Sequence, residues 1–93
     1  MTEHQKKLTA IAFLESEIVN ENDEGGAKEV IDIYKEMIDD INANGSLSEY
    51  GINGYYARII EVTNSDQYFD HYEEMDSLIG GLVKNTMTNL FLN

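Results

Sequence analysis

The chain has 93 residues, no cysteine and no proline, and sets 18 acidic side chains against 6 basic ones, for a formal net charge of −12. Its length allows one domain that buries roughly 60–65% of the surface of the unfolded chain. Without cysteine it has no disulfide framework, no thiolate zinc site and no cysteine nucleophile. The charge repels nucleic acid and anionic membrane and attracts basic protein surfaces, while 42% hydrophobic residues separate the chain from an acidic disordered tail.

The acids are clustered: residues 15–40 carry ten acids and two lysines, and residues 61–76 carry six acids and no base. No apolar run approaches the roughly 18 residues of a membrane span, and MTEHQKKLTA lacks the apolar core of a secretory signal. A cytoplasmic protein that does not engage membrane is expected.

A first helix is predicted from the capping box Thr2–Gln5 through EHQKKLTAIAFLESEIVN. Leu8, Ile11, Leu14, Ile18 and Val19 recur at helical spacing and define its apolar face. Phe13 falls on the opposite side, between Lys6 and Glu17, either exposed or packed against another element. NENDEGG, residues 20–26, reads as a loop whose glycines end the helix.

The second helix, AKEVIDIYKEMIDDIN, has the cleanest amphipathic pattern in the chain. Ala27, Val30, Ile31, Tyr34, Met37, Ile38 and Ile41 form one stripe, with Lys28, Asp32, Lys35, Glu36 and Asp39 opposite. The third segment, SLSEYGINGYYARIIEVTN, supports two readings. Tyr55, Ile59 and Val62 share a helical face, and a helix is the reading adopted. The alternative is a β-hairpin across 48–62 in an α+β fold, favoured by β-formers around the turn pair Asn53-Gly54.

The fourth segment is predicted as one long helix from a cap at Asn64 or Ser65. Tyr72, Met75, Ile79, Val83, Thr86 and Leu90 hold one stripe straight across Gly80-Gly81, where a close neighbouring helix or a kink would account for two glycines. The expected fold is all-α, a compact bundle of three or four helices in a single domain, 1–93.

Residues 40–51, DINANGSLSEYG, resemble an EF-hand calcium loop, with Asp40, Asn42 and Asn44 at the first, third and fifth positions and Gly45 at the sixth. The twelfth position, which supplies a bidentate glutamate in that family, is Gly51. NENDEG at 20–25 makes the same half-match, so both stretches are read as helix-ending chemistry. Gly45 closes the second helix in the left-handed conformation, and Ser46 with Glu49 caps the next. Asp40, Asn42, Asn44 and Ser46 are the candidate ligands of the alternative function, a calcium-responsive module.

Asp76-Ser77-Leu78 resembles the prosthetic-group attachment motif of acyl carrier proteins, which implies Ser77 as the carrier, although DHYEEM before it already continues a helix. The two histidines stand apart, and no G-x-S-x-G, H-E-x-x-H or phosphate-binding loop is present. An enzyme is not expected, and neither catalytic residues nor a cofactor are assigned.

The expected function rests on the acidic faces. Asp32, Glu36, Asp39 and Asp40 form one carboxylate row, and Asp66, Asp70, Glu73 and Glu74 form a second. Tyr68 and Tyr72 beside the second row offer large contact area at low entropic cost, unless such tyrosines line the core with their hydroxyls at its edge. These rows would stand in for phosphates towards a basic protein, as the DNA-mimic antidefence inhibitors of phages and plasmids do, without binding nucleic acid directly. A third reading is a structural homodimer that buries Phe13 and the fourth helix.

Overall fold

In a computed structural model, which describes residues 1–72 and 76–93, the latter without the side chains of 76–79, five helices follow in order: α1 (Glu3–Glu24), α2 (Lys28–Asn44), α3 (Glu49–Thr63), α4 (Phe69–Tyr72) and α5 (Asp76–Phe91). The all-α bundle expected from the sequence is the fold. The hairpin alternative is not: no strand occurs among the described residues.

α1 starts where its capping box predicts. Thr2 Oγ1 accepts the Gln5 N–H at 3.1 Å, and Gln5 Oε1 accepts the Thr2 N–H at 2.9 Å. It ends later than expected, because Asn20 to Glu24 stay helical and the left-handed residue is Gly25, at φ 71°. Only that one position needs positive φ, so the loop shrinks to 25–27. The inward line of α1 is Ala10, Leu14 and Glu21, whereas Leu8 and Val19 are 53% and 56% exposed. Phe13 packs against the core. The sequence stripe was displaced because two inward positions of this helix, 17 and 21, are glutamates, which hydropathy assigns to the outside.

α2 buries the predicted residues, with Ile38 partly covered, and adds Ile33, which α3 covers from the side. Gly45, at φ 81°, closes it, with its N–H bonded to the Ile41 carbonyl at 2.7 Å. The cap of α3 is Ser48 rather than Ser46: its hydroxyl accepts the Gly51 N–H at 3.0 Å, and Leu47 between the two serines is buried. Anchoring Leu47 in the core fixes where α3 can begin. Asn53 and Gly54 sit on its exposed side, where a glycine costs about 1 kcal/mol relative to alanine. Ile52 and Ile59, buried on the same helix, offset that cost.

The fourth segment does not start at Asn64 or Ser65. Asn64 caps the end of α3, and Ser65 bonds back to the Val62 carbonyl through both its N–H and its hydroxyl. The chain turns across 64–68 before α4. Met75 and the side chain of Ile79 lie outside the described residues. Further along the stripe Val83 is buried, Leu90 is half-buried and Met87, which the pattern did not single out, is fully buried. Gly80 marks a close approach: a Cβ there would lie 2.9 Å from Ile60 Cδ1 and 3.2 Å from the Tyr56 ring, whereas one at Gly81 would meet open space.

The four long helices close a ring, α1 on α2, α2 on α3, α3 on α5 and α5 on α1. The start of α1 and the ends of α2 and α5 meet around a recess of about 400 Å³, as an up-down order requires. The bundle measures 40 × 24 × 19 Å, and the 22 residues of α1, about 33 Å at 1.5 Å per residue, run most of its length. No described helix is long and apolar enough to cross a membrane.

Candidate acidic docking groove

On α2, Glu29, Asp32 and Glu36 are spaced by three and four residues, which sets them on one face. On α3, Arg58, Glu61 and Val62 do the same. Where these faces adjoin, a groove of about 480 Å³ opens, lined by Glu29, Asp32, Ile33 and Glu36 on one side and Arg58, Glu61 and Val62 on the other. Ile33 from the core and half-buried Val62 packed against it supply an apolar floor. The rim carries four carboxylates and one guanidinium.

That guanidinium is already engaged. Arg58 Nη2 donates to the Glu36 carboxylate, and the group stands 5.8 Å from the centre of the Tyr55 ring. Tyr55 donates its hydroxyl to Asp40 Oδ2 at 2.9 Å, and Asn44 Nδ2 donates to Asp40 Oδ1 at 2.6 Å. The Arg58 hydrogen bond holds the Glu36 carboxyl below the usual carboxylate range, and the same contact pushes Arg58 up. Burial, then the bond to Asp40, pushes the Tyr55 hydroxyl up to about 12. At the other end, the nearby Glu29 carboxylate pushes the Tyr68 hydroxyl up. Asp32 and Glu61 have no ion-pair partner among the described residues.

Comparison with protein-family models, curated proteins and solved structures finds no match. The reading of the groove therefore stands on its geometry.

Of the residues selected from the sequence, Asp32 and Glu36 line the groove. Asp40 lies beyond its lower end and is half-buried, with both oxygens occupied; Asp39 is exposed on the next helical position. Asp66 and Asp70 are exposed, on the 64–68 turn and on α4, and Tyr68 brings that segment against Glu29. Glu73 and Glu74 lie outside the described residues. Tyr72 is corrected: it is fully buried and offers nothing to a partner, because its hydroxyl is drawn inward between α1 and the start of α2.

The candidate calcium ligands lie on and just beyond the end of α2. Asp40, Asn42 and Asn44 belong to the last turns of α2, so Asp40 and Asn42 point about 200° apart around the axis rather than into one cage. Ser46 is exposed beyond the helix end. Among the described residues no group of three or more His, Asp or Glu is placed to hold a metal ion. Sequence reasoning missed Glu29, Glu61 and Arg58. The spacing of Glu29 to Asp32 and Glu36 was a readable signal, but Glu61 and Arg58 join the site only through the pairing of α2 with α3.

Proposed function

We propose that this is a non-enzymatic binding protein whose α2–α3 groove receives arginine and lysine side chains of a basic protein, occupying a surface that would otherwise contact nucleic acid. The observation that carries the reading is the convergence of four carboxylates from two helices over an apolar floor, opposed only by Arg58. From Glu29 to Asp40 the row on α2 covers about 16 Å at 1.5 Å per residue. Its charges recur every 5 Å or so, compared with about 3.4 Å for the phosphates of one DNA strand. Glu61, added from α3, increases the density.

Exposed ion pairs contribute only about 0–1 kcal/mol each, so binding needs several together, plus an apolar contact on Ile33 and Val62. Screening makes such binding weaken with salt. Arg58 acts as an internal stand-in: an incoming guanidinium pairs with Asp32 or Glu61, or exchanges with Arg58 at Glu36. A phage- or plasmid-encoded inhibitor of a nucleic-acid-binding enzyme is the class of protein that uses such a surface.

The test is capture from nuclease-treated bacterial lysate at low and high salt, with wild type, an Asp32→Asn/Glu36→Gln/Glu61→Gln variant and Arg58→Ala. A nucleic-acid-binding protein that is retained at low salt, released at high salt, lost by the triple variant and held more tightly by Arg58→Ala supports the reading. Capture unchanged by the triple variant, with its helicity intact, overturns it.

A further inference from the structure

The corner between α1 and α2 buries an ionisable group that the groove does not use. Glu21 is 3% exposed. Tyr72, arriving from α4, donates its hydroxyl to Glu21 Oε2 at 2.7 Å, and the Tyr72 hydroxyl oxygen itself accepts the Ala27 N–H at 2.7 Å. The backbone lies directly on the carboxyl: a Cβ at Gly26 would stand 1.8 Å from Glu21 Oε2. The hydroxyl of Tyr34, fully buried on α2, makes no hydrogen bond to a described residue.

A carboxylate held ionised in a protein interior needs several donors to replace water. Among the described residues it receives one hydroxyl, and the nearby backbone donor is spent on that hydroxyl. The groups around it pull in both directions. Glu24 on its own helix opposes ionisation of Glu21, and Glu21 in turn opposes that of Glu17. From α2 the facing group is the neutral Tyr34. From α4, the Tyr72 hydrogen bond favours the ionised form, and so, more weakly, does His71, its ring edge-on to Tyr72 with centres 4.6 Å apart. Burial is the largest influence and leaves the Glu21 carboxyl above its ordinary 4.5; Glu17 is raised in the same way.

We propose that Glu21 is a proton-binding site that latches α4 to the α1–α2 corner, closed while the carboxyl holds its proton and opened by ionisation. Any conformation that admits water to the carboxylate gains population as pH rises, because it releases the proton that the closed form retains. Tyr72 is the moving part, since leaving Glu21 also uncovers the Ala27 N–H. Tyr68, which stands edge-on to Tyr72 and faces Glu29, couples the latch to the upper end of the acidic groove, whatever that groove binds.

The experiment compares the full chain, Glu21→Gln and the exposed control Glu15→Gln, which removes the same formal charge at the surface. Thermal melting and the amide-exchange protection of Ala27 are followed from pH 5 to pH 8. The expected result is that wild type and Glu15→Gln lose Ala27 protection, by up to about ten-fold per pH unit within the titration window, while Glu21→Gln stays flat. Equal pH dependence in all three overturns the proposal, since repulsion across the whole acidic chain then accounts for it. A carboxyl-carbon NMR titration of the wild type covers the case in which Glu21→Gln fails to fold. A Glu21 midpoint above 4.5 supports the latch, and one at or below 4.5 overturns it.

Discussion

The two turns that join the first three helices share a frame and differ in what fills it. Gly25 at φ 71° and Gly45 at φ 81° each take the left-handed conformation that ends a helix. In both turns the residue four places before the glycine is buried, and so is the residue two places after it: Glu21 and Ala27 in the first, Ile41 and Leu47 in the second. One inward position is therefore a hydrocarbon and its counterpart a carboxyl. At the second turn nothing else is required, and Ser46 follows the glycine in the open. At the first, the carboxyl needs Tyr72 as a donor and a neighbour with no side chain, which is Gly26. Asp40, five places before its glycine, is satisfied near the surface by Asn44 and Tyr55. A shift of one residue relative to the closing glycine separates a surface acid from a buried one.

Substitutions at the matched positions test whether the frames are equivalent. Ile41→Ala removes a fully buried side chain from the second turn and should cost about 2–5 kcal/mol in denaturant unfolding, the largest effect of the set. Gly26→Ala should cost about 1–3 kcal/mol through overpacking. In a Glu21→Ala background the added cost should shrink, because the nearest clash is with that side chain. Full additivity would show that Gly26 serves the backbone and not the carboxyl.

The third prediction concerns pH. A carboxyl raised above 4.5 in the folded chain makes the native state bind more protons than the unfolded state. Its contribution to stability is complete below 4.5 and is lost as pH rises through the folded value. Glu21→Gln should therefore raise the melting temperature at pH 8 relative to wild type, with the advantage fading towards pH 4.5. Glu36 has the opposite sign: Arg58 lowers its pKa, so that pair contributes above 4.5 and fades as pH falls. Ser46→Ala, exposed and not a cap, should change stability by no more than about 0.5 kcal/mol. A larger loss would restore it as the start of α3.

The second turn was readable from the sequence because its pattern is local. The α2 stripe ends at Ile41 and the glycine follows, so the close of that helix was legible, whereas buried Leu47 and the Ser48 cap were not. The first turn was hidden by the same rule: Glu21 looks like solvated surface until Tyr72 arrives from 51 positions away. Tyr72 was misassigned to a binding face for the same reason, its inward role being set by a partner remote in sequence. The groove was half legible. Asp32 and Glu36 follow from helical spacing, whereas Arg58 and Glu61 required knowing that α3 returns alongside α2. Helix rather than hairpin at 48–62 was decided by Leu47, Ile52 and Ile59 all reaching the core, which alternation along a strand would not allow.

The ring order of the helices also bears on how quickly the chain reaches its native state. Three of its four main interfaces join helices consecutive among the long ones, and only α1 on α5 spans the whole sequence. Such a low mean sequence separation between contacting residues belongs to the microsecond-to-millisecond folders. With no proline in the chain, no prolyl isomerisation delays the process. The most remote of the chain's described side-chain bonds are those of Tyr72, whose corner is formed by residues 45 and 51 positions earlier.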